Sequence, residues 1–98
     1  MSLDAPTDPL SYAASLLDAV GADFDQVPAQ VIVECLYAAE LLELAGGRAE
    51  RTPLIDGDPR ASIRAAMGAL ALLHPDTFAS DPVRDAARAA RRALRGLG

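Results

Sequence analysis

Apolar residues recur at intervals of three and four through four stretches of this chain, and polar turn signals separate the stretches. Leu10, Ala13, Ala14, Leu17 and Val20 fall on one face of a helix over about 9–20, which Gly21 terminates. Phe24, just beyond it, is expected to plug the end of the same core. A second helix is predicted over 26–45, ending at Gly46-Gly47, where glycine can adopt the left-handed conformation of a C-cap. Its polar positions (Gln26, Gln30, Glu34, Tyr37, Glu40, Glu43) form one narrow stripe, and the rest of it is apolar. At about 1.5 Å per residue it would reach roughly 30 Å, which marks it as the central helix. The third helix, 59–74, is stopped by Pro75, and the fourth covers 82–95. That last one carries a seam at Val83, Ala87, Ala90, Leu94 and Leu97, the spacing of a helix packed lengthwise on another.

The starts of these helices have a local cause. Asp-Pro occurs at Asp8-Pro9, Asp58-Pro59 and Asp81-Pro82. An Asp carboxylate accepts from the free amides of a first turn, and proline fits the position where its missing N–H would have had no partner. A looser start lies at Asp25–Pro28. The segment 48–57, with Thr52-Pro53 and Asp56-Gly57, reads as the main loop. Residues 1–7 are expected to be disordered. The expected fold is therefore all-α: a small up-down bundle of about four helices forming one domain over 1–98.

Composition agrees with helices. Of 98 residues 51% are hydrophobic and only 4% aromatic, with alanine and leucine supplying most of the apolar content. The longest uncharged run, Ala65–Pro75, falls short of the roughly 18–20 residues a spanning helix needs, so no membrane segment is expected and the chain reads as cytoplasmic.

Candidate chemistry is sparse. His74 is the only histidine, set in the last turn of the third helix without a partner for acid–base or zinc work. Cys35 shares a face with Val31, Ala38 and Leu42 and lacks the neighbouring cations of a reactive thiol. Asp56-Gly57-Asp58 opens like a calcium loop, yet Arg60 occupies its fifth position and no Glu its twelfth. Glu34, Glu40 and Glu43 have no Glu-x-x-His partner of the kind a di-metal bundle uses. No catalytic residue, cofactor or metal is expected, and the chain reads as non-enzymatic.

Charge is the informative remainder. Residues 1–47 hold eight acids and no Lys or Arg, while the whole chain has a formal charge of −5. The fourth helix carries Arg84, Arg88, Arg91 and Arg95 as a basic stripe along its flank. The stripe can meet nucleic-acid phosphates, an acidic protein, or the chain's own acidic half. The net negative charge and the absence of aromatic residues among the arginines speak against nucleic acid. On the third helix the small residues Ala61, Ala65, Gly68 and Leu72 lie opposite Ile63, Met67 and Leu70. A helix apolar all round is buried all round, so a second chain is expected over that small-residue face and the apolar flank of the second helix. The leading expectation is a helical protein–protein interaction module, working as a homodimer or with another protein. The alternative is a small regulatory protein touching nucleic acid through the Arg stripe, and a third reading is an accessory subunit of an enzyme encoded elsewhere.

Overall fold

Five α-helices account for most of the chain: α1 (Pro9–Gly21), α2 (Ala29–Leu44), α3 (Pro59–Leu70), α4 (Pro75–Phe78) and α5 (Asp81–Gly96). They come from a computed structural model that describes residues 8–98; the expectation for residues 1–7 lies outside the described residues. There is no strand among the described residues, and the fold is an all-α bundle. Its Cα atoms span 34 × 34 × 18 Å. α1 packs against α2 and α3, and α5 packs mainly on α2 and also on α3.

Two of the three Asp-Pro pairs act as read. Asp8 Oδ2 accepts from the Ser11 amide at 3.0 Å and Asp58 Oδ1 from the Arg60 amide at 2.9 Å. That bond to the Ser11 amide holds the Asp8 carboxyl below the usual carboxylate range. The third pair sits one position further in: Ser80 is the N-cap of α5 and Asp81 its first residue. α2 starts at Ala29 rather than Gln26: Pro28 disfavours helical geometry at Val27 and is itself the N-cap, with an extended ψ of 148°. Its C-terminus is a two-bond glycine cap, with the Gly47 amide donating to Leu42 O at 2.9 Å and Gly46 to Glu43 O at 3.0 Å. Gly46 has φ +109°, as that cap demands.

The third helix is shorter than expected. α3 ends at Leu70, the chain tightens through bonds from Leu72 N to Ala69 O and Leu73 N to Leu70 O, and Pro75 favours the extended conformation of His74 (φ −56°, ψ 141°). His74 is thus the N-cap of α4, its Nδ1 accepting from the Asp76 amide at 3.1 Å, and not a residue of a helix C-terminus. Phe24 is 76% exposed and plugs nothing; Val27, at the end of the same turn, is the buried residue there.

α2 makes the two most extensive helix–helix interfaces, to α5 and to α1, but the helix with the largest buried share is α1. Nine of its residues are buried, among them Leu10, Leu16, Leu17 and Val20, together with Ser11 and Ser15. Two neighbouring helices cover part of its circumference, and an extended strap, the first part of the loop joining α2 to α3, covers more. Ser11 Oγ accepts from the Arg48 amide at 3.0 Å and Ser15 Oγ from the Glu50 amide at 2.8 Å. Four helical residues rise about 6.0 Å and two extended ones roughly 6.6 Å, so serines four apart on the helix match alternate amides of the strap. Ser62 closes the far end of the loop, accepting from the Ile55 amide at 2.9 Å and donating to Asp58 O. All three buried polar side chains among the described residues thus hold the loop, and they satisfy amides that would otherwise lie unpaired against the core.

Candidate functional site

Among the described residues no group of three or more His, Cys, Asp or Glu could hold a metal. A surface hollow of about 140 Å³ lined by Gln26, Asp58, Pro59, Arg60 and Leu97 is far below the roughly 300–1,000 Å³ of ligand pockets. Cys35 is fully buried, and burial, reinforced by the Glu34 charge, pushes its thiol up to about 12 from the usual 9.0. The native protein should therefore resist a disulfide reagent at about pH 8 and react at once in denaturant. Rapid labelling of the folded chain would contradict this placement. As pH rises past 9.0 the unfolded thiol loses its proton first, so native stability falls between there and about 12.

What remains is surface. On α3 the small residues divide: Ala65 is half-buried and packs against the core, Ala61 is half-buried, and Gly68 is exposed, with open space where a Cβ would stand. Leu72 is 77% exposed, but it lies in the turn beyond α3 and not on the helix. The face is therefore one residue shorter than the sequence suggests, and it contains little that would adhere.

α5 is amphipathic with a wide buried arc. Val83, Ala86, Ala89, Ala90 and Ala93 are buried, whereas Ala87, Leu94 and Leu97 of the expected seam are only half-buried. The reason is that α5 meets two helices, so its apolar side turns toward both. Close approach to α2 is made possible by Gly96, where a Cβ would come within 2.7 Å of Val31. Arg84, Arg88, Arg91 and Arg95 all point to solvent on the opposite side. Arg88 meets Asp85 at 3.4 Å, and the other three make no ion pair among the described residues.

The fifth arginine behaves differently. Arg92 donates to both carboxylate oxygens of Glu34, Nε at 2.7 Å and Nη2 at 3.0 Å, across the outer seam between α5 and α2. The guanidinium holds the Glu34 carboxyl below its usual range. This fork fixes which edge of each helix meets the other. It places the Arg stripe and the outer side of α2 on one face.

That outer side of α2 is apolar as well as acidic. Val33 is 64% exposed, Tyr37 48% and Leu44 74%, with Glu40 and Glu43 among them. Leu36 leans back toward α1, where a Cβ on Gly21 would overlap it. The polar stripe read from the sequence is real, but Val33 and Leu44 lie in it. The signal was present in the spacing: Val33, Tyr37, Glu40 and Leu44 stand four, three and four apart. Comparison with protein-family models, with curated proteins and with solved structures gave no match.

Proposed function

We propose that this chain is a non-enzymatic helical protein–protein interaction module that works as a homodimer. The carrying observation is the outer row of α2, where Val33, Tyr37 and Leu44 remain open to solvent along one helix edge. Isolated exposed apolar residues are ordinary, but a contiguous row rimmed by charge marks an interaction surface. A row of this kind on a small domain is stabilised by a second chain, since the domain's own core is already closed around α1. Light scattering coupled to size exclusion at low-micromolar concentration tests the reading. A mass twice the single-chain 10.2 kDa is the expected result. A single-chain mass at every concentration would overturn it.

One observation favours a second reading, contact with nucleic acid: three of the four stripe arginines make no ion pair among the described residues. Against it stand the acidic α2 beside the stripe and the lack of stacking side chains in the row. Nanomolar binding to a duplex or single strand at physiological salt, lost on Arg88→Ala with Arg91→Ala, would put this reading first.

A further inference from the structure

We infer that the face shared by α2 and α5 is self-complementary, and that a second copy of this chain docks on it with α2 of each protomer lying over α5 of the other. The inference rests on the homodimer reading above and names its surface. Its first support is spacing. The α2 row (Val33, Tyr37, Glu40, Leu44) and the α5 row (Arg84, Arg88, Arg91, Arg95) each step four, three, four. Each runs over twelve residues, roughly 16 Å of helix from first to last, and the step pattern reads the same in either direction.

The second support is chemistry. The α2 row offers a carboxylate at Glu40, with Glu43 beside the row, and no cation, because residues 1–47 contain neither Lys nor Arg. Its apolar members need cover that does not introduce a like charge. Arginine supplies both halves of that: its methylene stem lies on apolar surface while the guanidinium reaches a carboxylate, and a guanidinium can stack on the Tyr37 ring. The α5 row has no apolar side chain of its own to bury, so it suits the α2 row and not a second α5.

Adjacency is the third support. The Glu34–Arg92 fork, at 2.7 and 3.0 Å, joins the two helices on their exposed side, with Val33 and Tyr37 flanking Glu34 and Arg88 and Arg91 flanking Arg92. A twofold axis along that seam exchanges α2 with α5, so each acidic row meets a basic one twice. The contact is then isologous and closes at two copies. An axis across the seam would set arginine on arginine, and charge excludes it.

Charge reversal in two separate chains tests this. One variant carries Arg88→Glu with Arg91→Glu, so the middle of its α5 row turns acidic like its α2 row; the other carries Glu40→Arg with Glu43→Arg, so its α2 row turns basic like its α5 row. All four positions are exposed, and circular dichroism verifies the fold of each variant. In sedimentation equilibrium each variant alone should dimerise at least about 100-fold more weakly than the parent chain. An equimolar mixture should recover dimers, because acidic rows then face basic ones in both contacts. Raised salt should weaken the parent dimer. If the parent chain dimerises and either variant alone does so equally well, the surface is wrong while the homodimer reading stands. If the parent chain is monomeric throughout, both fall.

Discussion

Replacing Leu17 with alanine should destabilise the domain by about 2–5 kcal/mol, measured by urea denaturation of the purified chain. Leu17 is fully buried on α1, the helix with the largest buried share, in the same core cluster as Leu10, Leu16 and Val20. Deleting its branched end removes transfer energy and leaves a cavity between elements that cannot all move in to fill it. A domain of 98 residues has a total stability of about 5–15 kcal/mol, so the loss would remove a large share of it. The control is Leu44→Ala on the outer side of α2, where a change within about 0.5 kcal/mol is expected for the monomer. Equal effects at the two positions would mean that α1 is not the covered helix.

Opposite signs should follow when two glycines are each changed to alanine. At Gly47 the added Cβ would lie 3.0 Å from Leu42 O, 3.2 Å from Leu10 O and 3.1 Å from Leu10 Cγ. Two of these neighbours are backbone, in the last turn of α2 and the first turn of α1, so neither yields without moving a helix. Gly47→Ala should cost about 1–3 kcal/mol, as overpacking generally does. At Gly68, in mid-helix, nothing stands within 4 Å of the new Cβ. There Gly68→Ala should raise stability by about 1 kcal/mol through helix propensity alone. Thermal melts of both variants at matched low concentration decide the matter. A destabilising Gly68→Ala would show that the outer side of α3 is in fact covered.

The contrast shows how much of the molecule could be read from its residues. Asp8-Pro9, Asp58-Pro59 and Gly46 were legible because a cap is a local event, decided within a few residues of itself. The loop over 48–57 was legible for the same reason. The rank of the helices was not. Length and apolarity pointed to α2, whereas burial belongs to α1, because Ser11 and Ser15 read as polar in sequence yet are satisfied by loop amides 37 and 35 residues away. The effect of Pro75 on His74 was misjudged by treating proline as a stop at its own position, though it acts on the residue before it. Of the candidate surface, the four stripe arginines and Gly68 are exposed, whereas Ala65 packs against the core. The Glu34–Arg92 fork joins residues 58 apart, and no periodicity on either helix could have announced it.

The strap across α1 has a consequence for how relatives of this chain would be recognised. Its hold is made through the amides of residues 48 and 50, while the Arg48, Glu50 and Arg51 side chains point to solvent. Selection on that interval therefore acts on its length and leaves the identity of its outward residues free. One inserted residue would shift the amides against serines fixed at helical pitch, whereas most substitutions would pass unnoticed. In distant homologues the interval should be free of gaps yet variable in composition. The traces to look for are two serines four apart in the helix before it, and a glycine at the point where the strap leaves α2.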